Sequence, residues 1–451
     1  MGKYFGTDGI RGVANRDLTP DLAMQAARRF GELLMRETPL PRIVVARDTR
    51  ISSPMLECAV SAGLSSAGVR PLLLGVMPTP CVPFFCKEFS AQGGIMISAS
   101  HNPIEDNGIK FFNAQGFKIF DSMENEIEKL LDSPVNRFDL PIADEVGRVF
   151  LVEEAEDLFV NHLVELIPVS LKGLRIGLDC ANGAAFRLAP RVFQKLGAQV
   201  YSIHTESDGM KINVDCGSTN PSDLISLVLE KKLHLGLAFD GDADRCIAVD
   251  EKGEIFDGDK LLAAFAKYMQ ETGVLKGAGV VATVMSNYGL EKALNQLDLK
   301  LFRADVGDRN VLEKIIAEGC NLGGEQSGHI LLFSHSTTGD GILCGIYLAR
   351  ILAEKEIPLS ELGRMVQPMP QILENIEIVS KDKFLQDGLI KAEINKIEER
   401  LAGSGRVLVR PSGTQPLIRI MLEGESREQL LDTMNHLKDF IEKRLVAVGA
   451  K

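Results

Sequence analysis

The sequence predicts an α/β protein of three similar, mixed but mainly parallel α/β sheet domains, followed by a smaller α+β C-terminal domain, around a central cleft. Three observations carry that expectation: a length of 451 residues, an order of strands and helices that recurs three times, and a tail that breaks the recurrence.

A chain of this length is about three times a typical domain and needs several hydrophobic cores. Its 45% apolar and 25% charged residues suit an ordinary folded protein and exclude a disordered chain, a collagen-like repeat or a coiled-coil rod. With 50 Lys and Arg against 62 Asp and Glu, the net charge is −12. Such a chain has no general attraction for polyanions, so no nucleic acid or membrane partner is expected and a small molecule is. No apolar run reaches the roughly 18 residues that span a bilayer. The opening Met1-Gly2-Lys3-Tyr4-Phe5 lacks the basic and apolar regions of a signal peptide, which points to the cytoplasm. The eight cysteines include no Cys-Xaa-Xaa-Cys pair and suit free thiols in a reducing compartment.

The recurrence is strand, helix, strand, helix, strand, then an unusual loop. In the first unit Ile43-Val44-Val45-Ala46 precedes a helix around 53–68, Pro71-Leu72-Leu73-Leu74, a helix near 80–91, and Gly94-Ile95-Met96-Ile97 running into Ser98. The second has Arg175-Ile176-Gly177-Leu178, a helix near 185–197, a strand at 199–203, a helix near 221–233, and Leu235-Gly236-Leu237-Ala238-Phe239 running into Asp240. Asn220-Pro221 reads there as an N-cap followed by a first-turn proline. The third has a strand at 280–284, a helix near 288–298, Lys300-Leu301-Phe302, a helix near 309–318, and Cys320-Asn321-Leu322 running into Gly323. Short apolar strands alternating with helices imply parallel sheets whose ligands gather beyond the carboxyl ends of the strands.

In the tail, strands at 376–379, 407–410 and 417–422 follow without helices at the same spacing, and one helix near 427–446 closes the chain. A linker around 357–372 holds Pro358, Pro368 and Pro370. The expected domains are 1–155, 156–254, 255–368 and 369–451.

Four loops carry candidate chemistry. Ser98-Ala99-Ser100-His101-Asn102-Pro103 leads to Asn107-Gly108-Ile109-Lys110; a serine needs a base or metal to become a nucleophile, and His101 and Lys110 lie close by, although Asn-Pro and Asn-Gly also suit a plain turn. Asp240-Gly241-Asp242-Ala243-Asp244-Arg245 alternates three carboxylates between apolar strands, where their repulsion needs a counter-ion. The spacing imitates an EF-hand, but Arg245 stands where that loop needs glycine, and the flanks are strands. One Mg²⁺ per chain, with room left in its shell for a phosphate oxygen, fits better and suits phosphoryl transfer. Gly323-Gly324-Glu325-Gln326-Ser327-Gly328-His329 offers an acceptor and a hydroxyl to a sugar, or is an ordinary loop. Arg410-Pro411-Ser412-Gly413-Thr414-Gln415-Pro416 is a phosphate cradle or a hairpin turn. Together they read as the equipment of a phosphosugar phosphotransferase.

In this order the loops resemble the α-D-phosphohexomutase superfamily along essentially the whole chain, closest to its bacterial phosphoglucosamine mutases. Phe5-Gly6-Thr7-Asp8-Gly9-Ile10-Arg11-Gly12, the Ile97–Pro103 loop, Asn213-Val214-Asp215-Cys216-Gly217-Ser218-Thr219 and Glu325-Gln326-Ser327-Gly328-His329 carry that likeness. The resemblance implies a phosphorylated Ser100 that binds Mg²⁺ with Asp240, Asp242 and Asp244. It implies that Arg11, His101, Lys110 and Arg245 surround the transferring phosphate, that Glu325, Ser327 and His329 hold the sugar, and that Arg410, Ser412, Gly413, Thr414 and Arg419 hold the other phosphate. It further implies an isomerase interconverting glucosamine 6-phosphate and glucosamine 1-phosphate through a 1,6-bisphosphate, as monomer or homodimer, on the way to UDP-N-acetylglucosamine and cell-wall precursors. Gln415, where the family commonly has glutamate, and Asn310, where an aromatic residue is frequent, depart from the pattern. The rival expectations are a phosphomannomutase or phosphoglucomutase of the same superfamily, an aspartyl-phosphate sugar phosphatase using Asp240, and a phosphosugar sensor without turnover.

Overall fold

The structure, a computed structural model, describes residues 2–6, 8–134, 140–411 and 416–447. The chain divides into two compact units, Met1–Met285 with Leu299–Met365, and Ser286–Asp298 with Val366–Lys451.

The first unit contains three sheets, and they repeat one topology. In the first, Gly93–Ile97, Arg42–Arg47 and Arg70–Val76 are parallel neighbours in that order, and Asp106–Asn113 returns antiparallel against Gly93–Ile97. In the second, Leu235–Phe239, Arg175–Asp179 and Gln199–Ile203 are the parallel set, with Cys246–Asp250 antiparallel on Leu235–Phe239. In the third, Leu322–Gly324, Gly279–Thr283 and Lys300–Ala304 are followed by Ile330–Leu332 antiparallel on Leu322–Gly324. Each sheet thus places its first strand between the second and third, so the winding reverses at the first strand and a crevice opens beyond the carboxyl ends. The hairpin from third to fourth strand starts at that end. The serine, aspartate and Gly-Glu-Gln-Ser loops are these three hairpins.

Burial follows the strand patterns. All residues of Leu235–Phe239 and of Cys246–Asp250 are buried, as expected of strands covered on both faces. Ile43, Val45, Ile95 and Ile97 join Phe30 and Phe111 in the core of the first sheet. Ile10–Val13 extends that sheet by pairing with Asp106–Asn113, Arg11 lying opposite Gly108.

Several local expectations are corrected. Asn107 and Gly108 lie in a strand rather than a turn, because the Asn107 amide donates to the Ser52 and Ser53 hydroxyls at 2.8 and 3.0 Å. Asn220 is not the N-cap: its side-chain amide oxygen accepts from the Ser222 hydroxyl, and the helix Ser222–Lys231 starts one residue later with Pro221 at the cap. The expected linker contains the helix Leu359–Gly363 and the start of the strand Gln371–Glu377.

The second unit has an antiparallel sheet in the order Gln371–Glu377, Leu417–Gly424, Gly405–Pro411. Two helices missed from sequence, Lys381–Gln386 and Gly388–Leu401, precede Gly405–Pro411, the second capped by Asp387, whose carboxylate accepts from the Leu389 and Ile390 amides. Ile390 and Ile397, with Leu437 and Ile441 from Arg427–Ala447, pack on Ile376, Ile418 and Ile420 of the sheet. Fully buried Glu423 ties in the Ser286–Asp298 segment, accepting from the Asn287 side chain at 3.3 Å and the Tyr288 amide at 3.2 Å, with Arg406 as its cation.

Phe239 is fully buried immediately before Asp240. Phe239→Ala is expected to cost about 3–5 kcal/mol and lower the urea midpoint of the first unit; a midpoint equal to the wild type would contradict this packing.

Candidate active site

The serine loop is built around a buried arginine. Arg42–Arg47 runs into Asp48-Thr49-Arg50, where Asp48 and Arg50 are both fully buried. Arg50 Nε donates to Asp48 at 3.0 Å, and its two terminal nitrogens donate to the carbonyls of Ser100 and Asn102 at 2.9 Å, Asp106 at 3.1 Å and Pro103. All five donors of the guanidinium are thereby used. Asp48 also accepts the Ser98 and Ser53 hydroxyls at 2.7 Å. A second side chain, Asn213, donates to the same Ser100 carbonyl at 2.8 Å. The clamp holds Ser100 at φ +52°, a left-handed conformation that costs a serine free energy and is kept only where its surroundings over-determine it.

The strained turn aims the serine hydroxyl at the carboxylates, and Ser100 Oγ donates to Asp240 at 2.5 Å. Gly241 approaches so closely that a Cβ there would stand 2.5 Å from the Ser100 carbonyl oxygen. Asp240, Asp242 and Asp244 each present an oxygen within 4.8 Å of the other two, and all three are buried. Burial, then Asp244 and Asp242, push the Asp240 carboxyl well above the usual range. Burial also acts against ionised Asp244, but Lys110, His329 and Arg245 outweigh it and hold that carboxyl well below the range. Among the described residues Asp242 Oδ1 and Asp244 Oδ1 are buried and accept no hydrogen bond, although Asp244 Oδ1 has His329 and Arg245 as ion-pair neighbours at 3.6 and 3.8 Å. An all-oxygen donor set with orphaned lone pairs fits a hard divalent cation.

Lys110 is 1% exposed and lies 2.8 Å from Asp242, 3.4 Å from Asp8 and 3.5 Å from Asp244. Its burial favours the neutral amine, but these three carboxylates prevail and raise its pKa, so it is a fixed cation. His101 differs: Nδ1 is 3.4 Å from Ser100 Oγ, and burial, with Arg245 and Arg11, lowers it to about 4, leaving the imidazole neutral near pH 7. Nε of Arg11 and Nε of Arg245 are buried and make no hydrogen bond among the described residues, Arg245 Nε standing 3.8 Å from Asp244, two donors suited to an anion. The Arg245 amide donates to Asp240 at 3.2 Å.

The third hairpin abuts the second. The Cys246 amide donates to the Gly328 carbonyl at 3.0 Å, and Gly328 has φ +90° with a would-be Cβ 2.3 Å from the Cys246 carbonyl oxygen, so only glycine fits. Ser327 donates to Glu325 at 3.2 Å. His329 is 3% exposed and turns towards the metal-type carboxylates, Nδ1 standing 3.6 Å from Asp244. In the second unit Arg410 pairs directly with Arg419 across two strands, with Asn375 opposite Arg419 on the next, a polar row across the sheet. Ser412, Gly413, Thr414 and Gln415 lie outside the described residues. Asn310 sits in the helix Asp308–Glu318 and caps back onto the Val306 carbonyl at 2.9 Å.

Ser100, His101, Lys110, Arg245 and the three aspartates therefore converge, and Arg11 joins them through Asp8. Sequence reasoning missed Asp48, Arg50, Thr79, Asp8, Lys118 and Asp308. Thr79 donates to Asp242 at 2.6 Å, while Lys118 bridges Asp8 and Asp308. The one signal was the alternation Arg47-Asp48-Thr49-Arg50 at a strand end.

The alpha/beta/alpha domains I, II and III and the C-terminal domain of the phosphoglucomutase/phosphomannomutase family match residues 2–137, 157–253, 257–369 and 373–439 in turn. The phosphoglucosamine mutase of Clostridium acetobutylicum is 47% identical over 446 residues, covering 98% of this chain and all of that protein. That of Moorella thermoacetica is 49% identical over 438 residues, covering 97% and 99%. Among solved structures, a phosphoglucomutase/phosphomannomutase family protein of Burkholderia thailandensis is similar with a TM-score of 0.83 at 27% identity, covering 99% and 98% of the two chains. The N-acetylphosphoglucosamine mutase of Aspergillus fumigatus, solved with GlcNAc-6P and magnesium, shares the fold with a TM-score of 0.67 at 17% identity over 97% and 95%.

Arg50→Lys leaves some of the loop carbonyls and part of Asp48 unpaired. It is expected to cost about 3–5 kcal/mol of stability and to lower kcat with KM little changed, read by denaturant melts and steady-state rates. The depressed His101 sets a sign for pH: between about 6.5 and 4 the unfolded chain takes up a proton that the folded chain does not, so stability falls on acidification. His101→Gln removes that contribution, and its melting temperature should fall less than the wild type's between pH 7 and pH 5; an equal fall would refute the assignment.

Proposed function

The chain belongs to the phosphoglucomutase/phosphomannomutase family, and from that membership we propose that it is an isomerase interconverting glucosamine 6-phosphate and glucosamine 1-phosphate, on the way to UDP-N-acetylglucosamine for cell-wall precursors. The observation that carries the reading is the Ser100 hydroxyl, 2.5 Å from Asp240 within the carboxylate triad and clamped in a left-handed turn. Identities of 47% and 49% over nearly full length to phosphoglucosamine mutases support the choice of sugar.

Ser100 carries the phosphoryl group. In the first half-reaction O1 of glucosamine 6-phosphate attacks phosphorus, the bond from phosphorus to Ser100 Oγ breaks, and the sugar becomes the 1,6-bisphosphate. After the intermediate turns over, Ser100 Oγ attacks the phosphorus on O6 and releases glucosamine 1-phosphate. The proton of O1 goes to Lys110 or His101, and their surroundings favour His101. It is the neutral base of the pair, and the negative charge of two phosphates would raise its proton affinity from the low value that burial imposes. Lys110, kept cationic by three carboxylates, offsets charge instead. Asp240, Asp242, Asp244 and a phosphate oxygen on Ser100 would hold Mg²⁺, which supplies charge neutralisation at the transferring group. The Nε donors of Arg11 and Arg245, which make no hydrogen bond among the described residues, would bind its equatorial oxygens. Glu325 and Ser327 offer a carboxylate and a hydroxyl to the sugar, with His329 holding Asp244 behind them. Arg410 and Arg419, with Ser412, Gly413 and Thr414, would hold the phosphate that is not reacting.

A phosphatase using Asp240 as nucleophile fits less well. Its carboxylate already accepts the hydrogen bond of the Ser100 hydroxyl, a group to which the phosphatase reading gives no role.

With Mg²⁺ and a trace of glucosamine 1,6-bisphosphate, the wild type should convert glucosamine 6-phosphate to the 1-phosphate, followed by ³¹P NMR. Ser100→Ala should retain the fold by circular dichroism and lose at least about four orders of magnitude in rate, as expected when a covalent nucleophile is removed. Near-normal turnover in that variant, or faster conversion of a glucose or mannose phosphate by the wild type, would overturn the proposal.

A further inference from the structure

A second cluster of metal-type donors lies apart from the carboxylate triad. Asp179 is the last residue of Arg175–Asp179 and pairs with Ile203, so His204 emerges beside it at the carboxyl end of the neighbouring strand. Cys216 comes from the segment leading into the turn Gly217–Thr219. The Asp179 carboxylate, His204 and the Cys216 sulfur each present a donor atom within 4.8 Å of the other two. Asp179 and Cys216 are 0% and 1% exposed.

Each member is oriented as a ligand would be. The Asp179 carboxylate is fixed by the Ala181 and Gly217 amides, both at 2.9 Å. His204 Nδ1 lies 3.0 Å from Asp179 Oδ1, and this contact, with Asp223 on the other side of the ring, raises the imidazole's pKa, so a cation here takes the place of a proton between two carboxylates. That separation is close to the roughly 3.3 Å between two light-atom ligands held about 2.0–2.1 Å from one tetrahedral ion. The other ring nitrogen, Nε2, is 3.1 Å from the Asp223 carboxylate. A metal-bound imidazole characteristically donates its free N–H to such a carboxylate, which fixes the ring and strengthens the ligand. The Cys216 sulfur makes long hydrogen bonds with the Asn182 side chain at 3.9 Å and the Lys211 carbonyl at 4.0 Å. Burial, with Asp179, Asp215 and Asp223, pushes its thiol up to about 12, so a cation that binds here must displace a firmly held proton and its affinity rises with pH.

We propose that Asp179, His204 and Cys216 form a binding site for a borderline divalent cation of the Zn²⁺ type, chemically distinct from the all-oxygen triad. A sulfur, nitrogen and oxygen set disfavours Mg²⁺ and selects a thiophilic ion, with a fourth position left for water. The site would act as a structural pin. The segment it anchors carries Asn213, whose side chain grips the Ser100 carbonyl at 2.8 Å.

The test is a Co²⁺ titration of the full-length protein in excess Mg²⁺, which occupies oxygen sites. One equivalent should bind with thiolate-to-cobalt charge-transfer absorption and be displaced by Zn²⁺. Cys216→Ser and His204→Gln should abolish the absorption, while Asp240→Asn and Cys58→Ser, which alters the exposed cysteine, should keep it. X-ray absorption of the Zn²⁺ form of the wild type gives an answer even if a variant fails to fold: one sulfur at about 2.3 Å and light atoms at about 2.0–2.1 Å are expected. No charge-transfer band at one equivalent, a band that survives Cys216→Ser, or a zinc shell without sulfur would overturn the proposal.

Discussion

The repulsion among three buried carboxylates is the constraint on which the rest of the site depends. Asp240, Asp242 and Asp244 sit at the end of a wholly buried strand, where water cannot screen them. The fold meets this with unequal means. Lys110 and His329 secure Asp244, the Thr79 hydroxyl and Lys110 engage Asp242, and Asp240 is left with the serine hydroxyl and the Arg245 amide. Asp240 is therefore the member that most needs a cation, and it is the one touching the group that would carry phosphate. Charge frustration and chemistry coincide at the same atom.

The second dependence is geometric. A serine in left-handed conformation relaxes unless its carbonyl is held, and Arg50 and Asn213 hold it from two different sheets' loops. Every donor of the Arg50 guanidinium is used within the loop or by Asp48, so the clamp is rigid and fully satisfied, the condition under which a buried charge supports a structure. Preorganisation of this kind suits phosphoryl transfer, where the protein's part is positioning and electrostatics.

What could be read in advance follows from the range of each interaction. Asp240, Asp242 and Asp244 were legible because three charges between apolar strands conflict locally, and the three sheets because each repeats its own short-range pattern. The hairpin origin of all three site loops was implicit in that repeat. Asp8, Lys118 and Asp308 were not legible, because their roles arise only when residues more than a hundred positions apart, such as Lys118 and Asp308, meet in space, and Arg50 was not, because the carbonyls it grips lie 50 to 56 residues further along the chain. Asn107-Gly108 misled because a turn-forming pair was captured by two serine hydroxyls from another segment. Gly388–Leu401 was missed because its apolar face rests on few residues, with Ile390 and Ile397 buried.

The central claim is that Ser100, poised by the clamp and the triad, passes a phosphoryl group to the sugar and takes one back. The most direct measurement is a single turnover of enzyme phosphorylated on Ser100, mixed with one equivalent of glucosamine 6-phosphate and Mg²⁺, quenched over time and analysed for phosphate on protein and sugar. The account predicts that phosphate leaves Ser100 and appears transiently as sugar 1,6-bisphosphate before the serine is rephosphorylated. Release of inorganic phosphate, or product formed while Ser100 keeps its original phosphate, would contradict it.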